Sequence, residues 1–543
     1  MKDKVFQDTK KSIPEHQVKV KPNGSKNESA NLLDRIILSA KQGEIPTQKK
    51  ITVGKTVLND LTSKYGQPDQ KDQVANGTYL TYKKQEFAVG YDQHERLNEI
   101  RSYDDHLKQI HYDTIIKKLN KPTSIKYYKD QEVDQIILIY DLPNKYELKF
   151  ILPRPTSDNP NPSIHHTSVS IIEQANPNQS SNIDKLLNEM TLKEKIGQMI
   201  ISGFYGSNYS NSLKELVEQY KIGGFIFYNE NLLNTNQTVN LVNSIKASNA
   251  KNRLPVIFGV DQEGGRVSRL PGNIGKLPTN EQIGKRNNGE FSFEIGQILG
   301  EQVKAFGLNM DFAPVLDVNS NQKNPVIGDR SFSNNPAIVS NLGIQTMNGL
   351  KSENIIPVVK HFPGHGDTSV DSHLELPVVN KSYTELKSLE LIPFKNAIHE
   401  NADVVMIAHI LLPKIDANYP ASMSKTIITS ILRSDLQYKG IVMTDDMTMS
   451  AIGKHYHLEK AAVTSILAGS DMIMVAHDPN KVKAVFQEIE TAVKNGTISE
   501  QRINESVKRI MILKQKYKLN NEQVHIGDTK ALIEKTNKLL HQR

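Results

Sequence analysis

Ile355-Ile356-Pro357-Val358-Val359-Lys360-His361-Phe362-Pro363-Gly364-His365-Gly366-Asp367-Thr368-Ser369-Val370-Asp371-Ser372-His373 runs an apolar stretch into a Gly/Pro-rich loop holding three histidines and two aspartates. The first five residues are apolar without alternation, so they read as a strand buried on both faces. Charge and imidazole packed into a loop just past a strand end is where an α/β enzyme carries its chemistry. Histidine titrates near neutrality, and an acid two residues away can orient it. An ordinary polar loop is one alternative. A metal site is another, since His361, His365, His373 and Asp371 are all ligand types, although their spacing matches no common zinc pattern.

Working outward from this strand, seven further apolar runs recur with helical segments between them. They are Met199-Ile200-Ile201, Phe225-Ile226-Phe227, Pro255 to Val260, Met310 to Val315, Val404 to Ala408, Gly440 to Met443 and Asp471 to Val475. Strands alternating with helices imply parallel βαβ units, and eight of them predict an α/β fold closed as a (β/α)8 TIM-type barrel. A doubly wound open sheet is the alternative. The barrel demands chemistry at strand C-terminal ends. The third run leads into Asp261-Gln262-Glu263-Gly264-Gly265, the fifth into Lys360-His361, the sixth into His409, the seventh into Asp445-Asp446 and the eighth into His477.

Cleaving a glycosidic bond normally takes two carboxyl groups, one to protonate the leaving oxygen and one to attack or to activate water. Asp445, at a strand end and so rigidly held, is the candidate nucleophile. Its neighbour Asp446 reads as the N-cap of a helix starting near Met447. No equally placed Glu offers itself as the acid. Asp371-Ser372-His373 fills that gap if His373 donates the proton and Asp371 orients it.

These residues carry a resemblance. From about Asp184 to Leu519 the chain resembles the β-N-acetylglucosaminidases of glycoside hydrolase family 3. The matching motifs are Met190-Thr191-Leu192-Lys193-Glu194-Lys195-Ile196-Gly197-Gln198-Met199, Asp261-Gln262-Glu263-Gly264-Gly265-Arg266-Val267, Gly328-Asp329-Arg330-Ser331-Phe332, the Lys360–His373 loop and Thr444-Asp445-Asp446-Met447. The resemblance implies a retaining mechanism with Asp445 as nucleophile and His373 as acid/base assisted by Asp371. It further implies that Asp261, Arg269, Arg330, Lys360 and His361 bind the N-acetylglucosamine. It calls for no metal and no cofactor. For Arg269 and Arg330 the plain alternative is a surface salt bridge, and for Lys360 and His361 solvation of a strand end.

Upstream the pattern changes. Alternating segments such as Thr78-Tyr79-Leu80-Thr81-Tyr82 and Tyr146-Glu147-Leu148-Lys149-Phe150 predict antiparallel strands. Thr56 to Tyr65 before Gly66-Gln67-Pro68 is weakly repeated by Tyr112 to Leu119 before Asn120-Lys121-Pro122. The expected organisation is a flexible segment over 1–34, a small α+β domain of duplicated α-β-β type over 35–172, a Pro/Asn linker over 173–182, the barrel over 183–520 and a helix or tail over 521–543. The small domain resembles the YjgB-type domain of unknown function found in envelope proteins of Bacillus relatives.

Sixty-seven Lys and Arg against 60 Asp and Glu give a net charge of +7, which suits polyanionic envelope polymers or an acidic substrate. No basic run is interleaved with aromatics, which argues against nucleic acid, and no apolar run is long enough to span a membrane. Cysteine is absent, which removes disulfides, thiolate catalysis and Cys-ligated metals. Met1-Lys2-Asp3-Lys4-Val5-Phe6 lacks the apolar core of a signal peptide, so the protein stays inside or its numbering begins after a removed leader. The expectation is an extracellular or envelope protein of a Gram-positive bacterium, with a cytoplasmic one as the alternative. Its expected substrates are peptidoglycan fragments or other β-N-acetylglucosaminides, with wall contact through the small domain. Phosphorolysis by the same residues is a second reading, because a histidine acid/base tolerates an incoming phosphate dianion. A non-catalytic wall-binding protein is a third.

Overall fold

The computed structural model describes residues 25–541 except 49, 75–76, 92–95, 121, 130–132, 157, 172–176, 273, 370 and 373. The chain divides into two compact units, Met1–Asn176 and Pro177–Arg543.

In the first unit, helix Ser25–Ala40 includes residues 25–34, expected as part of a flexible segment. Leu32, Leu33, Ile36 and Ala40 recur at helical spacing and are buried in the unit's core, which is what orders them. Residues 1–24 lie outside the described residues. One antiparallel sheet of eight strands follows. Helix Leu58–Tyr65 precedes strands Gln70–Val74, Gly77–Tyr82, Phe87–Tyr91 and Leu97–Ser102. Helix Tyr112–Leu119 precedes Ser124–Lys129, Asp134–Leu142, Tyr146–Pro153 and His166–Ile171. The repeat unit is therefore one helix and four strands, longer than α-β-β. The extra strands were hard to read because Gln70-Lys71-Asp72-Gln73-Val74 is almost wholly polar. The two meanders join through their last strands, with Ile100 opposite Val169, so the first strand of each becomes an edge.

The second unit opens with helix Pro177–Glu189, so the part of the expected linker from 177 to 182 is helical. The rest of that linker falls largely outside the described residues. Eight parallel strands close a barrel in chain order: β1 (Ile200–Ser202), β2 (Gly224–Phe227), β3 (Ile257–Val260), β4 (Met310–Asp311), β5 (Ile356–Phe362), β6 (Val404–Ile407), β7 (Ile441–Asp446) and β8 (Met472–Val475). β8 closes on β1, with Ile473, Met474 and Val475 opposite Ile200, Ile201 and Ser202. The strands are short and nearly all buried, as barrel strands sandwiched between a filled interior and a helical shell must be. The segment 521–543 carries helix Thr529–His541, whose Leu532 and Leu539 join the barrel's core cluster. Among the described residues no helix is long and apolar enough to cross a membrane.

Candidate active site

A cavity of about 320 Å³ opens where the barrel strands end. Volumes of roughly 300–1,000 Å³ are usual for small-molecule sites. Asp261, Arg269, Arg330, Lys360, His361, Asp371 and Asp445 all line it. These are seven of the eight site residues read from the sequence. The eighth, His373, lies outside the described residues.

At the base of the cavity two cations meet two carboxylates. Lys360 Nζ lies 2.6 Å from Asp261 Oδ1 and 2.7 Å from Glu263 Oε1. Arg330 grips Glu263 with two prongs, at 2.7 and 2.9 Å. Neither arginine reading as a surface salt bridge nor strand-end solvation describes Arg330 or Lys360, since Lys360 is only 2% exposed. Burial by itself disfavours every one of these charges, and pairing reverses that. It would raise Glu263, but Arg330 and Lys360 hold that carboxyl well below the usual range. It would lower Lys360, but Asp261 and Glu263 raise the ammonium. The pairing therefore favours the charged forms of Glu263 and Lys360, and Asp261 stays partly open to the cavity.

Beside it, Asp317 is completely buried beyond β4 and organises two histidines. Its carboxylate lies 2.6 Å from His361 Nδ1 and accepts the His365 backbone N–H at 2.6 Å. Burial opposes its charge, but His361 and His365 outweigh that and lower its pKa. His365 is pushed down to about 4 by burial and by His361, so its ring is neutral. Its nitrogens meet Thr368 Oγ1 at 2.9 Å and Ser372 Oγ at 3.2 Å. With both ring nitrogens engaged His365 serves the loop, whereas His361 is held through Nδ1 and still borders the cavity. Among the described residues no group of three or more His, Cys, Asp or Glu is arranged to hold a metal. Gly366 lets the loop lie against the chain beyond β4: a Cβ there would sit 1.7 Å from the Val318 carbonyl oxygen. The Ser372 carbonyl then accepts the Ala451 N–H at 3.2 Å, tying the loop to the segment after β7.

Asp445 is the last but one residue of β7 and borders the cavity. Burial would raise its carboxyl, yet His361, His409, the Asp446 N–H at 2.8 Å and Lys360 bring it below its ordinary value. His409 is fully buried, and burial lowers its pKa. Its Nε2 lies 3.0 Å from the Asp446 carbonyl, which can only accept, so Nε2 carries the proton and Nδ1 accepts from Ser422 at 2.7 Å. Asp446 departs from the expected helix cap. The helix starts at Ser450 with Met449 in the N-cap position. Asp446 instead accepts from Thr448 N at 2.9 Å, Thr448 Oγ1 at 2.7 Å and Ala476 N at 3.0 Å, clamping β7 to β8. Both aspartates border the cavity, but Asp446 also fastens the strand that carries Asp445.

Arg269 sits where its backbone N–H reaches Gln262 Oε1 at 3.0 Å, while its Nε is buried without a partner among the described residues. A charged donor left open beside a cavity is suited to a ligand oxygen. Three residues escaped the reading of the sequence as site members. Glu263 stood inside a quoted motif, Tyr228 directly follows β2, and Asp317 lies in an apolar context that conceals it.

A family model described as "Glycosyl hydrolase family 3 N terminal domain" matches residues 191–513, and a domain of unknown function, DUF4309, matches residues 33–170. The β-hexosaminidase A of Pseudoalteromonas piscicida is 32% identical over 341 residues, spanning 58% of this chain and 57% of that protein. A β-hexosaminidase of Neisseria meningitidis serogroup C is 36% identical over 269 residues, 48% of this chain and 73% of its own. Among solved structures, a family 3 β-N-acetylglucosaminidase from Paenibacillus sp. str. FPU-7 is 37% identical with a TM-score of 0.62, covering 64% of this chain and 68% of that one. A match over more than half of the sequence, lying on a closed barrel with charged residues gathered at its strand ends, makes this chain a member of glycosyl hydrolase family 3.

Proposed function

We propose that the protein is an exo-acting β-N-acetylglucosaminidase that works with retention through a covalent intermediate on Asp445. The observation that carries this reading is the sharing of one cavity by the Asp445 carboxylate, the Lys360–Asp261–Glu263–Arg330 cluster and Asp371. Asp261 accepts hydrogen bonds from sugar hydroxyls, while Lys360, Arg330, Arg269 and His361 donate to sugar oxygens. In the first step Asp445 attacks the anomeric carbon as His373, oriented by Asp371, protonates the departing oxygen. In the second, the now neutral imidazole takes a proton from water, which displaces Asp445. The role of His373 rests on its sequence position two residues after Asp371. Relatives named for hexosaminidase activity support the substrate class. Within that class the proposal is terminal N-acetylglucosamine on peptidoglycan fragments at the cell envelope, supported by the net charge of +7.

The test is release of a chromophore from an aryl β-N-acetylglucosaminide with and without phosphate, with the sugar product followed by NMR. The β-anomer forming first, without need of phosphate, is the expected result. A phosphate-dependent 1-phosphate product would replace hydrolysis with phosphorolysis. No release from any β-N-acetylglucosaminide would overturn the enzymatic reading.

A further inference from the structure

On the β2–β8 side of the cavity two aromatic rings lie face to face. The Tyr228 and His477 rings are 4.4 Å apart at an interplanar angle of 22°, and both line the cavity. Tyr228 follows β2 directly and His477 follows β8 by two residues, so the two strands that flank β1 supply the pair.

Both partners are held from behind. The Tyr228 N–H donates to Asn231 Oδ1 at 2.8 Å. Asn231, fully buried, passes its amide hydrogens to the carbonyls of Phe204 at 3.1 Å and Gly206 at 2.8 Å beyond β1. His477 holds a left-handed backbone, with φ of 64°. Gly203 packs so closely on it that a Cβ there would be 2.1 Å from the His477 nitrogen. Glu230 Oε1 lies 3.9 Å from His477 Nδ1. The backbone positions that present both rings are thus set before a ligand arrives, which limits the freedom that binding would otherwise remove.

Tyr228 ends in a hydroxyl. Among the described residues none hydrogen-bonds its hydroxyl. Burial raises its pKa well above the ordinary value, helped by the nearby carboxylates of Asp446, Asp261 and Asp445, so it remains a neutral donor. A phenol kept protonated beside carboxylates, with no described partner of its own, has a hydrogen bond to give.

We propose that Tyr228 is a sugar-contacting residue, its ring forming one wall of the saccharide subsite and its hydroxyl donating to a sugar oxygen, with His477 as the positioning residue that holds the ring. This deepens the N-acetylglucosaminidase reading and rests on it. Sugar C–H faces pack on aromatic rings, and a ring braced by a second ring keeps its angle when the sugar leaves. Tyr228 packs against the barrel core, but the His477 side chain is 47% exposed and its ring is not part of that packing.

The experiment compares KM and kcat on an aryl β-N-acetylglucosaminide for the parent, His477→Asn and Tyr228→Phe. Asn tolerates the left-handed backbone, so His477→Asn removes the ring without straining the chain. Tyr228→Phe keeps the ring and removes the donor. Each should raise KM about three- to tenfold, with a smaller change in kcat and an unchanged melting temperature. Saturation-transfer NMR on free N-acetylglucosamine, irradiating aromatic protons, should give transfer to the sugar ring in the parent and less in Tyr228→Ala. Parent-like KM in both variants, or turnover by a parent that shows no aromatic transfer, overturns this inference alone. A parent with neither turnover nor transfer overturns the functional reading beneath it.

Discussion

Asp317 Oδ2 lies 2.6 Å from His361 Nδ1, and the same carboxylate accepts the His365 N–H at 2.6 Å, so one buried anion aims two histidines of the β5 loop. Replacing it as Asp317→Asn turns one oxygen into a donor facing donors. Losing charged hydrogen bonds at such a site costs about 1–3 kcal/mol. The expected outcome is a lower melting temperature together with a fall in kcat/KM of roughly tenfold or more, the equivalent of one such bond. A variant with parent kinetics would show that His361 does not depend on Asp317 for its orientation.

Asp445→Asn should abolish turnover and leave the fold intact. Asp446, not Asp445, fastens β7 to β8, so the melting temperature has little reason to move. Circular dichroism and the aryl-glycoside assay check both halves. Activity above a few per cent of the parent would remove Asp445 from the nucleophile role.

The pH profile of kcat/KM should be a bell. Its acid limb follows Asp445, whose carboxyl lies below the usual range despite burial, because His361, His409 and Lys360 favour the anion. Activity therefore survives acidification past the ordinary carboxylate pKa, provided the fold does. The basic limb follows the acid/base, which must be protonated in the first step. If Asp371 orients His373 as proposed, Asp371→Asn should move that limb to lower pH and slow the reaction. An unmoved limb with an unchanged rate would make Asp371 a structural residue.

Lys514, 2% exposed, donates from beneath the barrel to Gln198 Oε1 at 2.6 Å and to the carbonyls of Gly223 at 2.9 Å and Pro255 at 2.6 Å. Burial pushes its ammonium down to about 7. An unfolded lysine keeps its proton to about pH 10.4, so between those values the unfolded state binds more protons and this group makes stability rise with pH. Lys514→Met should destabilise by about 1–3 kcal/mol, leaving oxygens unpaired, and flatten that rise. Denaturant melts at pH 7 and pH 9 measure both effects.

Every described residue lining the cavity comes from between Ile226 and His477. A chain starting at Pro177 should therefore retain turnover of small aryl glycosides. A soluble but inactive product would mean that the first unit contributes to catalysis.

Barrel strands were legible because strands covered on both faces are continuous apolar runs, so the first polar residue after each run marks a strand end. That rule reached Asp261, Lys360 and Asp445, which the fold then brings to one cavity. It failed for Asp317, six residues past a strand of two, where Pro314-Val315-Leu316 and Val318 continue the apolar pattern around a charge. Pairing across 44 residues to His361 leaves no local trace. It failed also for Asp446, where an Asp after a strand looks alike whether it caps a helix or clamps the next strand. In the first unit, Gln70–Val74 hid because a strand at a sheet's margin has no need of alternation.

That margin has a consequence of its own. By joining its two meanders through their fourth strands, the first unit turns the opening strand of each repeat outward. Edge strands in general present unpaired amides, and lysine on an edge discourages stacking into aggregates. Lys71 stands on one of them. A sheet joined this way hides the last strand of each repeat in its seam and leaves the first, one of them almost wholly polar, at its margins.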